Sequence, residues 1–403
     1  RAEIEIRFAN AELLRGKGTV SSVAASLLSL GSTQLSRQQI NDRLDELNAE
    51  MSIGGRGTGV TISLSTIEQN MPALLELALH VLKSPEFAQD QLTEYKSNAI
   101  TGLRSSMTDP RAIASRALAR YDNPWPEDDL RYTPTFEQAI AQIEAVSRED
   151  LIAFHKQFYG AGNISVAAAG SFDPDLVVKM LTDALGQWQR APAYQRVDDP
   201  YRPIKPDNLI IETPDKANAV FVARLPLELQ DTDPDYPALV VANYLVGGSP
   251  ESRLWTRIRE TDGLSYHVGS RLSASAYEPS GAWTLSGIFA PENLGRFETA
   301  LKEELERANQ EGFTDQEVSN AIGAILTTRA LRRSQDAALA STWIDYLATG
   351  RTFAWSAEMD EKLSKLDAQT VNEALRRHLG SQAMVRVVAG DFANATGATK
   401  KTP

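Results

Sequence analysis

The chain has 403 residues, no cysteine, 42% aliphatic and aromatic residues, and 53 acidic against 41 basic side chains, for a formal charge of -12. These counts exclude disulfides, thiolate metal sites and cysteine nucleophiles, and remove any electrostatic pull toward nucleic acid or anionic lipid. Length asks for more than one domain, and apolar residues mixed with charges of both signs are the profile of a folded soluble chain that would favour basic partners.

Residues 2–8, AEIEIRF, alternate as a strand does. The apolar run SVAASLLSL, 22–30, reads as a buried helix; it has about half of the roughly 20 residues that cross a bilayer, so no membrane span is expected. A further strand, GVTISLS at 59–65, precedes two segments of helical period, 67–84 and 90–107, and ISVAAAG at 164–170 is strand again. The stretch QRAPAYQRVDDPYRPIKPD, 189–207, carries four prolines and no helical period, as an extended linker would. Beyond it, PALVVANYLV (237–246) repeats the apolar-helix signal and is followed by GGSP, where Gly247 and Gly248 are expected to serve a turn that needs positive φ, with a flexible glycine loop that touches substrate as the alternative. ESRLWTRIRETDG then reads as a helix stopped by Gly263, and LSYHVGSRL as a strand. No charged-then-apolar leader opens the chain, so an export signal is expected to have been removed or to belong to a longer precursor.

The two halves match at a shift of about 220 residues. Leu151 onward lies over Val371 onward, with Gly170 on Gly390 and Phe172 on Phe392; Asn98-Ala99-Ile100 falls on Asn320-Ala321-Ile322. Strands and helices mix without a βαβ rhythm and no glycine-rich phosphate loop follows a strand, so the fold class is read as α+β. Two homologous domains are expected, each a largely antiparallel sheet with helices packed mainly on one face: residues 1–190, a linker 191–207, and residues 208–403.

The segments LLSLGSTQLSRQQINDRLDELNAEMSI, VLKSPEFAQDQLTEYK, FYGAGNISVAAAGSFD, YLVGGSPESRLWTRIRETDGLSYHVGS and IFAPENLGRFETALKEELERANQEGFT, in that order, resemble the pitrilysin and mitochondrial processing peptidase family of zinc peptidases. The resemblance implies half-molecules of two repeated domains, two of which close around a peptide. Active halves carry an inverted His-x-x-Glu-His helix with a second glutamate further on. Here SVAAS replaces it: Ser22 and Ser26 stand at the histidine positions, Ala25 at that of the base, and the distal ligand position falls at about Gly102. No metal is expected in this chain, and His80, His155, His267 and His378 are each isolated from any ligand-type partner at helical spacing.

Read alone, Arg259 complements a helix C-terminus and pairs with Glu260 or Asp262, while Tyr266 half-buries its ring in a strand. The resemblance implies instead that Arg259 and Tyr266, in the pattern R-x-x-x-x-G-L-x-Y, are the pair by which a half without zinc reaches the substrate carbonyl opposite its partner's metal. The implied function is the non-metal half or subunit of a two-part zinc peptidase, inactive alone. It would pair with a zinc-bearing half, either as a heterodimer or as part of one precursor, the latter favoured because RAEIEIRF resembles the family's second strand. A peptide is the expected substrate, and the periplasm or another extracytoplasmic space the expected compartment. A non-catalytic scaffold or peptide-binding protein of the same fold is the alternative.

Overall fold

The computed structural model describes residues 1–8, 11–379 and 384–397. It divides into two compact units. Unit 1 comprises Arg1–Arg104, Pro124–Val197 and Leu331–Thr352; unit 2 comprises Ser105–Asn123, Asp198–Ala330 and the described residues from Phe353 onward. Each unit thus takes one segment from the opposite half of the sequence. Residues 191–206 have no helix or strand, and no helix among the described residues is long and apolar enough to cross a membrane.

Unit 1 is built on an antiparallel sheet of β1 (Ala2–Arg7), β2 (Glu50–Arg56), β3 (Gly59–Ser65) and β4 (Ile164–Ala168), in the order β2-β3-β1-β4. Strand alternation puts Ile4, Ile6, Ile62 and Leu64 on one face, all fully buried beneath Ala24, Leu28, Leu74, Leu75 and Phe158. The other face is polar: Ser63 donates to the buried carboxylate of Glu3 at 2.6 Å. Helix Asp336–Thr349, from the second half of the sequence, packs against β1 and β4.

Unit 2 repeats this order with one strand added. β5 (Asp207–Glu212), β6 (Ala219–Leu227), β7 (Ser265–Ala274), β8 (Gly281–Phe289) and β9 (Val385–Gly390) lie in the order β5-β9-β6-β8-β7. Only the β5–β9 pair is parallel. In chain order β6, β7, β8 and β9 correspond to β1, β2, β3 and β4, the pairing that the internal match implies. The main core stacks Phe221, Trp283, Leu285 and Phe289 under Leu239, Phe297, Leu301 and Val371. On the reverse face Val220, Val387 and Ala389 form a separate apolar cluster with Ala114 of helix Pro110–Arg120, the segment contributed by the first half. Asp109 starts that helix by accepting from the amides of Arg111 and Ala112, with Pro110 at its first position. The α+β class with largely antiparallel sheets holds. The bulk of the helices cover one face of each sheet, and the transposed helix covers part of the other.

Candidate functional site

Helix Gly18–Leu27 carries the residues that the resemblance puts at the zinc-ligand positions. The Ser22 hydroxyl donates to the Gly18 carbonyl at 3.1 Å and that of Ser26 to the Ser22 carbonyl at 2.9 Å, so both turn back onto their own helix. Ala25 is fully buried, and a Cβ placed on Gly55 of β2 would lie 2.3 Å from the Ala25 methyl. Helix and strand therefore approach over two residues that are both small, which leaves no room there for a glutamate. Neutral hydroxyls are poor Zn²⁺ donors, and the described residues contain no group of three His, Asp or Glu able to hold a metal. A cavity of about 630 Å³ opens beside the first turn of this helix, with Val20, Tyr95, Leu130 and Ile143 in its wall.

The four histidines are engaged elsewhere. His80 bonds Ser32 Oγ at 2.9 Å and His378 bonds Asp235 at 2.8 Å. His155 faces the Leu82 carbonyl at 2.8 Å and stacks on Tyr159; burial pushes its pKa down. His267 stands edge-on to Trp255 with ring centroids 6.3 Å apart.

Arg259 and Tyr266 flank the turn at Gly263. The helical stretch Trp255–Thr261 is π-helical, a widened geometry that recurs at functional sites. It ends where Gly263 adopts φ +60°, and the Leu264 amide returns to the Ile258 carbonyl at 2.9 Å, a Schellman-type stop. The chain then enters β7 through a bulge: Ser265 pairs with Phe289 and His267 with Ile288, so Tyr266 is the extra residue. Ser265 pins the bulge, its hydroxyl lying 2.6 Å from the carbonyl oxygens of both His267 and Ile288. Bulges re-aim a side chain out of the strand's alternation, and Tyr266 is 78% exposed.

The arginine is held differently from the ion pair expected of its local sequence. Asp262 bonds Arg257 at 2.7 Å, and Arg257 also reaches Glu303 at 3.2 Å. Its hydrogen bond to Asp262 pushes the Arg257 pKa up. Arg259 instead lies over the face of Trp255, its guanidinium carbon 4.1 Å from the ring centroid, a cation–π contact between residues one helical turn apart. Among the described residues no carboxylate pairs with it. The half-buried tyrosine and paired arginine expected from local chemistry are both replaced by exposed donors, because the bulge and the Trp255 platform are tertiary features.

Gly247 and Gly248 differ from expectation as well: neither has positive φ. They end a second π-helical stretch, Tyr244–Gly248, pressed against β7. A Cβ on Gly247 would stand 2.7 Å from Ser270 Oγ, so close approach is what requires glycine. The sequence analysis gives no role to Trp255 or Ser265 and treats His267 only as an isolated histidine; the one available signal is Trp255 four residues before Arg259, the spacing at which helical side chains meet.

Residues 145–325 match the family model described as Peptidase M16 inactive domain. Among curated proteins, the chain is 21% identical over 377 residues to the "Non-peptidase homolog YmxG" of Helicobacter pylori, covering 90% of this chain and 84% of that one. The fold is similar to the crystal structure of a peptidase M16 inactive domain from Pseudomonas fluorescens, with TM-score 0.83, 20% identity, and 96% and 92% of the two chains covered. It is similar also to the periplasmic protease PqqL from Escherichia coli, with TM-score 0.77 and 18% identity over 96% of this chain but 42% of that one. Residues 145–325 thus match an M16 peptidase domain of the type described as inactive, and the chain as a whole is similar in fold to M16 proteins.

Proposed function

We propose that the protein is the non-metal half of a two-part zinc peptidase and that Arg259 and Tyr266 polarise the substrate carbonyl opposite a zinc site carried by another polypeptide segment. The observation that carries this reading is the exposed donor pair, with Tyr266 lifted out by a bulge and Arg259 laid on Trp255 with no carboxylate partner among the described residues. Addition of a nucleophile to a peptide carbonyl puts negative charge on oxygen, and a phenol O–H and a guanidinium both donate to it. Neither group needs to gain or lose a proton in that role. The zinc, when present in the partner, supplies the activated water; this chain orients the carbonyl and stabilises its charge. The larger PqqL chain, of which this fold matches 42%, supports an arrangement in which such a half works beside another. The periplasmic location of PqqL also supports an extracytoplasmic one for this protein.

The test is capture of the partner from the source organism, followed by Tyr266→Phe and Arg259→Ala in the reconstituted pair. Each is expected to lower kcat by roughly 10² to 10³, the usual loss for one oxyanion donor, while co-purification persists. Wild-type turnover in both variants would overturn the assignment. The alternative, a peptide-binding or scaffold protein without a catalytic part, draws on the "non-peptidase" description of the H. pylori relative. Capture of a complex without a zinc-bearing chain would favour it.

A further inference from the structure

Beside Trp255, on the face of the unit 2 sheet away from the main core, lies a cavity of about 380 Å³. Its floor is set by strand register. Arg271 pairs with Thr284, and Thr284 with Arg224, so the three stand in one row across β7, β8 and β6. Gly269, Ser286 and Val222 form the next row, and His267, Ile288 and Val220 the one beyond. Directly opposed residues in antiparallel strands share a face. Because Val220 belongs to the reverse-face cluster, all three rows lie on that reverse face. Thr284, Ser286, Arg271 and His267 line the cavity, and Trp255 and the Gly247–Ser249 segment close its sides.

Two facts point to an anionic occupant. First, Arg271 and Arg224 are exposed, and neither has a carboxylate partner among the described residues, in a chain whose net charge is -12. Arg271 lines the cavity and Arg224 stands outside its lining in the same row; strand spacing puts their backbones about 10 Å apart, within reach of two arginine side chains converging on one small anion. Second, the Ser249 hydroxyl on the cavity wall is buried with no hydrogen-bond partner, and the residue is only 7% exposed. A buried donor left unsatisfied costs free energy that an acceptor in the cavity restores. The planar fork of arginine matches carboxylate geometry bidentately. The volume, at the low end for ligand pockets, suits one or two side chains of a peptide, and the indole of Trp255 supplies an apolar wall for the rest.

We propose that this cavity is a specificity site that takes a carboxylate carried by a bound peptide, held between Arg271 and Arg224 with Ser249 donating from the wall. It deepens the functional reading above and rests on it to the extent that the peptide lies along the Trp255 and Tyr266 side of unit 2. Unlike the carbonyl-polarising role, it is testable on this chain alone, without partner or hydrolysis.

The experiment is calorimetric titration of the intact chain with three otherwise identical octapeptides. One is capped at both ends with a central glutamate, one is capped with glutamine there, and one carries the glutamine with a free C-terminal carboxylate. The expected result is at least a roughly tenfold tighter binding of one carboxylate peptide than of the capped glutamine peptide, a difference of about 1.4 kcal/mol. Preference for the glutamate peptide assigns the site to acidic side chains, and preference for the free terminus assigns it to chain ends. Arg271→Gln and Arg224→Gln are each expected to erase the discrimination at unchanged thermal unfolding, and Ser249→Ala to reduce it severalfold. Equal binding of all three peptides, binding of none, or discrimination that survives in both arginine variants would overturn the proposal. Loss of turnover in the Arg259 and Tyr266 variants has no bearing on these outcomes.

Discussion

Replacing Ala25 by glutamate tests the position that the resemblance assigns to the catalytic base. Ala25 is fully buried, and a Cβ built on Gly55 would already come within 2.3 Å of its methyl group. Forcing a longer side chain into that contact costs about 1–3 kcal/mol in overpacking, and a carboxylate withdrawn from water adds a penalty of several kcal/mol unless it protonates. The expected destabilisation of Ala25→Glu is about 4 kcal/mol or more at pH 8, a large part of the roughly 5–15 kcal/mol that holds a typical domain together. Its pH dependence has a definite sign. Burial raises the folded-state pKa above the unfolded value of about 4.3, so between those two values the native state holds more protons. Stability then falls as pH rises, by up to about 1.4 kcal/mol per unit. Ala25→Gln keeps the steric cost and loses the titration. Urea unfolding followed by circular dichroism at pH 5 and pH 8 separates the two variants. An Ala25→Glu protein within about 1 kcal/mol of wild type, on a scale where such changes are resolvable, would refute the claim that this helix is closed to the base. So would a Ser22→His, Ala25→Glu, Ser26→His, Gly102→Glu protein that folds normally and holds one zinc per chain.

Other outcomes follow from the same contacts. Ser265→Ala removes the hydroxyl between two strand carbonyls and should cost about 1–2 kcal/mol, with faster amide exchange around Tyr266; unchanged protection there would mean the bulge is fixed by something else. Gly247→Ala should destabilise by about 1–3 kcal/mol through the Ser270 clash. Gly295→Ala, with open space around the added methyl, should stabilise its helix by about 0.5–1 kcal/mol, and thermal melts of the pair check both. Because burial depresses the His155 pKa, the neutral ring contributes stability above the unfolded value of about 6.5. That contribution is lost as pH falls below 6.5 toward the folded pKa. Urea midpoints from pH 8 to 5 should therefore drop more steeply for wild type than for His155→Gln.

Much of this architecture is legible in the sequence, because burial imprints period on it. AEIEIRF and GVTISLS carry the two-residue alternation of half-buried strands, and β1 and β3 are their outcome. The match of Asn98-Ala99-Ile100 to Asn320-Ala321-Ile322 marked the two helices that precede the exchanged segments, yet gave no sign of the exchange. A helix packed on a distant sheet leaves the same apolar stripe as one packed on its neighbour. The pattern R-x-x-x-x-G-L-x-Y singles out Arg259 and Tyr266, whereas their presentation is not legible in the sequence. It depends on a bulge created by pairing with β8 and on Trp255, both of which require the folded sheet. The glycines at 247 and 248 are ambiguous for a related reason: a demand for positive φ and a demand for closeness select the same residue.

The transposed helices have a consequence for any attempt to divide the molecule. A cut in the proline-rich stretch 191–206 would yield two pieces, neither containing a whole unit. The C-terminal piece would present Val220, Val387 and Ala389 bare to water for want of Ala114 and its neighbours. The N-terminal piece would lack the cover that Asp336–Thr349 gives to β1 and β4. Completion of either unit therefore waits for synthesis to pass residue 330, which couples the two halves during biogenesis although the sequence reads as two tandem copies.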